Sequence, residues 1–212
     1  MRVSKVKSYA KINLALNVIN KRTNLHNIES IVTFINLHDL ITIKLTKKTK
    51  HVIRFNGKFS KNIKKNNTVQ KLFKILDKLK LLGNKKFQVN IQKNIPQKAG
   101  LGGGSMNASS ILNYLIKEKI IKLNKKKILK ISSKIGSDVI LGINPTATIL
   151  TSNNVIKKFI NCPKFYTLLV KPNFGCSTKE IYSEVKKFSK SKFNNPNKNM
   201  FNSDFLISQN NA

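Results

Sequence analysis

The sequence predicts an α+β fold, and three observations support this class. Apolar residues alternate with polar ones in runs early in the chain, which is typical of strands with one buried face. Helical periodicity appears later and interrupts the strands, without the regular alternation of a βαβ sheet. The 212 residues, of which 40% are hydrophobic, are enough for one medium domain, or for one domain and part of a second.

Strands are expected wherever apolar residues recur with a period of two. In the first run, residues 12–18, every even position is apolar. A break is expected near His38, and Asp39 is expected to start a new strand after a turn. The predicted strands are residues 12–18, 28–37, 40–45, 51–55, 87–91, 146–151 and 165–170.

Helices are expected where apolar residues recur every three to four positions. The first should begin near Asn67-Thr68 and stop at Gly83, and another should cover 125–134 and end at Gly136. A helix carrying apolar residues at 111–116 follows a glycine-rich segment, and a last helix is expected at 178–188. Residues 189–199 are rich in Lys and Asn, which predicts a loop or linker.

The chain carries 41 Lys and Arg residues against eight Asp and Glu, a formal net charge of +33. Such a charge can bind nucleic acid by releasing counterions from phosphates. However, Arg occurs only at positions 2, 22 and 54, and abundant Lys, Asn and Ile are typical of an AT-rich genome. A nucleic-acid binder would more often use Arg for bidentate contacts. We therefore favour compositional bias as the explanation.

Cysteine, histidine and apolar content exclude several other classes. Cys162 and Cys176 are too few for a disulfide framework, and the three histidines lack zinc-ligand spacing. The sequence contains no run of about 18 apolar residues, so no transmembrane helix is predicted. The first ten residues lack the apolar core of a signal peptide. A soluble cytoplasmic protein is therefore expected.

The glycine-rich segment 96–105 follows a predicted strand and opens a predicted helix. Glycines let the backbone approach an anion and direct several N–H groups at it, and the helix N-terminus adds positive charge. No Lys-Ser/Thr pair follows the last glycine, as a Walker A loop requires, and Ser105 replaces the third glycine of a dinucleotide fingerprint. The segment therefore predicts a phosphate-binding loop, with a glycine turn that binds nothing as the alternative.

Asp138 is the acid whose surroundings best suit proton transfer. It lies between Gly136-Ser137 and the apolar run 139–141, where a carboxylate needs a partner. A helix N-cap explains the same residues equally well. Glu29 and Asp39 belong to strand patterns. The remaining acids fall on helix faces, where solvated ion pairs are usual, or in the tail: Asp77, Glu118, Glu180, Glu184 and Asp204.

Lys11 is the one charge at the head of the first apolar alternation. An outward-facing strand lysine is the simpler interpretation among so many lysines. The spacing of the residues alone does not pair Lys11 with Asp138.

Four segments, taken together, resemble the GHMP small-molecule kinases. Residues 9–14 (Tyr-Ala-Lys-Ile-Asn-Leu) resemble the N-terminal strand of this family, 96–105 its phosphate loop, and 135–139 (Ile-Gly-Ser-Asp-Val) its catalytic-aspartate segment. Residues 25–30 (Leu-His-Asn-Ile-Glu-Ser), with Gly-Leu-Gly-Gly-Gly-Ser-Met-Asn-Ala at 100–108, are similar to the branch that acts on 4-diphosphocytidyl-2-C-methyl-D-erythritol. Branches that act on mevalonate, homoserine or galactose usually have Gly-Leu-Gly-Ser-Ser-Ala. The resemblance spans about residues 5 to 185.

The resemblance implies a two-domain fold with the active site between the domains. Residues 1–160 would form the ATP-binding domain, which resembles the second domain of ribosomal protein S5, and 161–212 would begin the C-terminal domain. The resemblance also implies ATP as phosphoryl donor, and Mg²⁺ bridging its phosphates. No residue is assigned as a direct metal ligand. We expect a monomer or weak homodimer, with no specific nucleic acid and no membrane as partner.

The resemblance further implies roles for individual residues. Asp138 would accept the proton of the C2 hydroxyl, and Lys11 would hold Asp138 and stabilise the developing alkoxide. Asn13 and His26 would lie near the substrate, and Tyr182 would stack on its cytosine. ATP would contact the loop residues Pro96, Gln97, Lys98, Ala99, Gly100, Leu101, Gly102, Gly103, Gly104, Ser105 and Met106.

The chain departs from the family pattern in three places. Asn24-Leu25-His26 replaces the frequent Gly-Tyr-His, so one aromatic contact to cytosine is expected to be lost. Residues 144–155 lack the usual glycines, and the third, glycine-rich motif near the family's C-terminus is missing. A truncated C-terminal domain is therefore expected, with apolar residues of 178–188 and of the tail, Phe201, Phe205 and Leu206, partly open to water. The alternatives are another GHMP kinase and an RNA-binding module of S5-like fold.

Overall fold

The computed structural model describes residues 3–22, 25–172, 175 and 178–209, and it has the mixed α and β content predicted from the sequence. Within these residues, no helix is long and apolar enough to cross a bilayer. The strands are β1 (Ser4–Arg22), β2 (Leu25–Thr46), β3 (Val52–Asn56), β4 (Lys86–Gln92), β5 (Ala147–Leu150) and β6 (Ile156–Phe159). The helices are α1 (Thr68–Lys78), α2 (Gly103–Lys117), α3 (Lys125–Ile135), α4 (Thr178–Ser183) and α5 (Ser203–Ile207), with 3-10 helices at Ser137–Ile140 and Lys198–Phe201.

The chain divides into two compact units. The first contains Met1–Ala10, Asn36–Gln97 and Leu101–Pro145. In it, β4 pairs antiparallel with the second half of β2 and parallel with β3. Alternate side chains of β4 are buried, and they share one apolar core with the inner faces of α1, α2 and α3. This packing anchors both elements that flank the glycine-rich loop, because the loop connects β4 to α2.

The second unit contains Lys11–Ile35, Lys98–Gly100 and Thr146–Ala212. In it, β5 pairs antiparallel with both β2 and β6. The core of this unit combines strand residues with residues of the C-terminal tail. Its buried members are Ala15, Ile31, Ile149, Phe193, Met200 and Phe201. The division into two domains at residue 160 stays a prediction.

Two helix starts agree with the sequence prediction and have the same physical cause. Asn67 Oδ1 accepts a hydrogen bond from the Gln70 N–H at 3.1 Å, and Asn124 Oδ1 accepts one from the Lys127 N–H at 2.9 Å. Each Asn thereby satisfies an N–H group that has no acceptor inside its helix. The end of α1 at Lys78 comes before the predicted stop at Gly83.

The predicted break at His38-Asp39 is wrong. Strand β2 continues through both residues, and its pairing with β4 begins directly after them, at Leu40 opposite Gln92. Asp is unfavourable within strands unless its carboxylate is satisfied. The donors that satisfy Asp39 lie 54 or more residues further along the chain, so local sequence could not reveal them.

The predicted strand at 165–170 is also wrong. In the described part of the chain these residues belong to no strand, and Tyr166 and Leu168 are largely exposed. The short strand β6, by contrast, was not predicted. Apolar composition alone favours a strand at 165–170, but a strand forms only where a neighbour supplies hydrogen-bond partners. The last main helix is shorter than predicted, since α4 ends at Ser183.

The expectation that Phe201 lies partly open to water is wrong, whereas Phe205 and Leu206 are half-buried, in agreement with the expectation. Phe201 is 1% exposed and packs against Phe159 of β6, with ring centroids 5.6 Å apart. Phe205 is half-buried against Phe193, at 6.2 Å. Burying a side chain of this size contributes about 1.5–3 kcal/mol. Residues 189–197 are irregular, as predicted, but Phe193 is fully buried, so this segment is not a free linker.

Some positions with a sequence-based expectation lie outside what the structure describes. They are Asn24, Cys176 and the side chains of Leu25 and Glu180, and the expectations for them stay predictions.

Candidate active site

The glycine-rich loop has a backbone suited to holding an anion. Gly100 and Gly102 have φ of 69° and 65°, in the left-handed region that favours glycine. Gly102 caps α2 without any side-chain hydrogen bond, and the first turn of α2 contains no acidic residue. The N–H groups at the start of a helix have no intrahelical acceptor and carry partial positive charge. The start of α2 can therefore bind phosphate oxygens.

Polar side chains attach the loop to its surroundings in the first unit. Gln97 Nε2 donates to the carbonyl oxygens of Phe59 and Lys61, at 2.8 and 2.7 Å. Thr68, the first residue of α1, donates from Oγ1 to the carbonyl of Gly104 at 2.6 Å. These contacts hold the loop from both sides, and the N-cap residue Gly102 makes no side-chain hydrogen bond to the first N–H groups of α2.

Beneath the loop lies Asp39, a fully buried carboxylate. Its Oδ1 accepts hydrogen bonds from the backbone N–H groups of Asn94 and Ile95, both at 2.8 Å. Its Oδ2 accepts from Lys93 Nζ and, at 3.0 Å, from Asn107 Nδ2. Sequence analysis missed this cluster. An acid inside an apolar strand pattern was the available sign, because a buried carboxylate must have partners.

Asp138 lies half-buried in the 3-10 helix Ser137–Ile140. The N-cap of this helix is Gly136, and no side chain makes a capping hydrogen bond there. The alternative role of Asp138 as a helix cap is therefore not supported. Val139 next to it is fully buried in the core of the first unit, which fixes the position of the segment.

The Asp138 segment packs closely against α2. A Cβ atom added to Gly136 would lie 3.6 Å from Ser105 Oγ, near the start of α2. A Cβ added to Gly142 would lie 2.1 Å from Ser109 Oγ, so only glycine fits there. Asn113 Nδ2 donates to the Gly142 carbonyl at 2.8 Å. Within the first unit, the structure thus brings the Asp138 segment next to the first turn of α2.

Lys11 is only 7% exposed, so the outward-facing interpretation is wrong. Its Nζ donates to Asn13 Oδ1 at 2.5 Å. Asn13 Nδ2 donates in turn to Ser30 Oγ at 2.6 Å, and Ser30 donates to the Ala15 carbonyl at 2.7 Å. This chain of hydrogen bonds orients the Asn13 amide with its oxygen toward Lys11. Ser30 was not singled out in the sequence.

His26 and Tyr182 also lie together in the second unit. Their rings stack with centroids 5.3 Å apart and an interplanar angle of 20°. Both side chains are half-buried. The structure therefore brings four predicted site residues into contact as two pairs, Lys11 with Asn13 and His26 with Tyr182. The predicted pairing of Lys11 with Asp138 joins residues of different units and stays a prediction.

The comparisons with known proteins agree with this fold and loop. Residues 67–151 match the family GHMP kinases N terminal domain. A crystal structure of 4-(cytidine 5'-diphospho)-2C-methyl-D-erythritol kinase superposes with a TM-score of 0.59 and 20% identity, over 76% of this chain and 56% of that one. A mevalonate kinase superposes with a TM-score of 0.55 and 16% identity, over 74% and 56% of the two chains. The chain thus shares the fold of these kinases, and residues 67–151 match their N-terminal domain.

Curated relatives narrow the class further. A 4-diphosphocytidyl-2-C-methyl-D-erythritol kinase from Pelagibacter ubique is 59% identical, over 97% of this chain and 73% of the relative. An enzyme of the same name from Fervidobacterium nodosum is 39% identical, over 85% of this chain and 65% of the relative. The chain belongs to the 4-diphosphocytidyl-2-C-methyl-D-erythritol kinase family. The fold class, the family and the kinase class predicted from the sequence are thereby confirmed.

Proposed function

We propose that this chain transfers the γ-phosphoryl group of ATP to the C2 hydroxyl of 4-diphosphocytidyl-2-C-methyl-D-erythritol, a step of the non-mevalonate isoprenoid pathway. The observation that carries the proposal is the packing of the Asp138 segment against the first turn of α2. A carboxylate beside an anion-binding helix end is the arrangement that phosphoryl transfer to an alcohol needs. The names of the curated relatives supply the substrate.

ATP is proposed to bind with its phosphates on residues 96–106. The left-handed glycines and the uncapped start of α2 support this role, because they present backbone N–H groups. Among the described residues, no group of three His, Cys, Asp or Glu side chains could hold a metal ion. Mg²⁺ is proposed to arrive with ATP and to keep phosphate and water oxygens as its main ligands. Bound there, it would neutralise charge on the phosphates.

Asp138 is proposed to take the proton from the C2 hydroxyl. The hydroxyl oxygen forms a bond to the γ-phosphorus, the bond from that phosphorus to ADP breaks, and the proton passes to the Asp138 carboxylate. Lys11 is proposed to hold Asp138 and to stabilise negative charge on the attacking oxygen. The burial of Lys11 and its hydrogen bond to Asn13 support this role, since both restrict its ammonium group.

The cytidine end of the substrate is proposed to bind at His26 and Tyr182, with Asn13 nearby. The stacked rings support this assignment, because they form a flat aromatic surface of the kind on which a base stacks. The cytoplasmic location and the monomeric or weakly dimeric state expected from the sequence remain predictions.

The test is a coupled kinase assay with ATP and the cytidine diphosphate substrate, run beside mevalonate and homoserine. We expect turnover of the cytidine substrate alone, and its loss in Asp138→Asn. Turnover of mevalonate or homoserine instead would assign another GHMP activity. A salt-resistant, sequence-selective RNA complex without kinase activity would favour the RNA-binding alternative.

A further inference from the structure

The buried carboxylate of Asp39 takes no part in the reaction proposed above, yet its contacts reach both ends of the glycine-rich loop. Its Oδ1 accepts hydrogen bonds from the N–H groups of Asn94 and Ile95, which lead from β4 into the loop. Asn107, which donates to its other oxygen, lies in α2 beyond the loop. One side chain of β2 therefore ties the entrance of the loop to the helix that follows it.

Lys93 is the remaining member of this cluster. It is buried, its Nζ donates to Asp39 Oδ2, and the same Nζ would lie 3.2 Å from a Cβ atom on Gly103. The ammonium group thus sits against the first residue of α2, and Asp39 compensates its charge. With Lys93 engaged in this way, the anion-binding groups at the start of α2 are the backbone N–H groups.

We propose that Asp39 is a positioning residue for the nucleotide. Asp39 accepts hydrogen bonds from the N–H groups of Asn94 and Ile95 and from the side-chain amide of Asn107. These bonds fix the spacing between the loop entrance and α2. The N–H groups that would hold the phosphates then share one orientation before ATP binds. The inference rests on the proposed role of the loop in binding ATP phosphates.

The test compares two double variants of the full chain that carry the same charge. Asp39→Asn/Lys93→Met keeps an oxygen that can accept from the two backbone N–H groups, whereas Asp39→Leu/Lys93→Met has a side chain of similar size that accepts nothing. Removing Lys93 in both avoids an unpaired buried ammonium group, which would destabilise the protein by itself. Calorimetry measures the Kd for the Mg²⁺ complex of AMP-PNP, a non-hydrolysable ATP analogue. Circular dichroism at the same temperature reports folding.

We expect the Leu variant to bind the analogue at least tenfold more weakly than the Asn variant, while the KM for the cytidine substrate stays within twofold. Protein that has unfolded irreversibly would lower the number of binding sites and kcat, and leave the Kd unchanged, and circular dichroism with and without the analogue detects reversible unfolding. Equal Kd values for two folded variants would overturn the inference.

Asn107→Ala keeps the result decisive if the Leu variant fails to fold. This change leaves the Asp39–Lys93 pair intact and removes only the contact to α2. A severalfold rise in the Kd for the analogue supports the inference, and an unchanged Kd overturns it. Wild-type protein that does not bind the analogue overturns both the inference and the proposed nucleotide site. Wild-type protein that binds it without phosphorylating the cytidine substrate overturns only the proposed substrate.

Discussion

The carboxylate of Glu29 accepts a hydrogen bond from the backbone N–H of Phe193 at 3.1 Å, across 164 positions of sequence. It also accepts from the N–H of Lys192 and from Ser191 Oγ, both at 2.8 Å, and from Asn17 Nδ2 at 2.9 Å. Glu29 is fully buried, so these four donors satisfy a carboxylate that water cannot reach. The contact attaches an otherwise irregular segment to β2.

Replacing Glu29 by Gln should destabilise the second unit. The amide nitrogen of Gln would face donors that now meet a carboxylate oxygen, which costs about 1–3 kcal/mol. We expect a lower melting temperature and faster amide hydrogen exchange at Lys192 and Phe193. The exposed Glu184→Gln change is the matched control. Unchanged exchange at both amides would show that Glu29 does not hold the segment.

Ser30→Ala should lower kcat without weakening nucleotide binding. The change removes the acceptor of Asn13 Nδ2, so the amide that faces Lys11 loses its fixed orientation. Losing one such hydrogen bond costs about 1 kcal/mol, or five- to tenfold in rate if it is felt in the transition state. Steady-state kinetics and calorimetry with AMP-PNP provide the measurement. Ser30→Thr keeps the hydroxyl and should restore kcat; if it remains as slow as Ala, orientation is not the cause.

Asp138→Asn should lower kcat by about 10²–10⁴-fold and leave AMP-PNP affinity nearly unchanged, as expected for removal of a general base. Lys11→Ala should cost a similar factor. The effects should not add in the double variant, because the two side chains are proposed to act as one unit. Rates within a few-fold of wild type for Asp138→Asn would refute the assignment of the base.

Tyr182→Ala should raise the KM for the cytidine substrate and spare ATP. Stacking of a base on an aromatic ring is worth about 1–3 kcal/mol, or one to two decades in affinity. Tyr182→Phe keeps the ring and should behave like wild type. Tyr166→Ala, at a fully exposed tyrosine, is the matched control. A rise in the KM for ATP instead would place Tyr182 in the nucleotide pocket.

His51 should make the stability of the protein depend on pH near neutrality. Burial lowers its pKa below the ordinary 6.5, although the hydrogen bond to Asp77 opposes this. Its Nδ1 accepts from the Phe87 N–H at 3.1 Å, so the neutral ring carries its proton on Nε2, 3.3 Å from Asp77. Protonating Nδ1 would break the bond to Phe87.

The sign of the pH effect follows from these contacts. Because the unfolded chain binds a proton near pH 6.5 and the folded chain only at lower pH, stability is full above pH 6.5 and falls as the pH drops below it. The measurement is the melting temperature between pH 8 and 5, compared with His51→Phe. The variant should show a weaker dependence over this range. If the melting temperatures of wild type and His51→Phe change equally with pH, His51 does not cause the pH dependence.

The sequence by itself determined the α+β class, the kinase family and the position of the glycine-rich loop. These features depend on local chemistry: glycines permit φ values such as those of Gly100 and Gly102, and Asn67 and Asn124 start helices with their own side chains. Residues a few positions apart carry this information, so it can be seen without the fold.

The tertiary structure alone decided which polar residues are buried and what satisfies them. The sequence pattern predicted Asp39 as the start of a strand and Glu29 as an ordinary strand residue. In the structure, each carboxylate accepts hydrogen bonds from residues more than 50 positions away. The sequence predicted that Phe201 is partly exposed, but in the structure it packs against Phe159 of β6. A buried carboxylate or ring is stable only with partners, and the chain brings those partners together only when it folds.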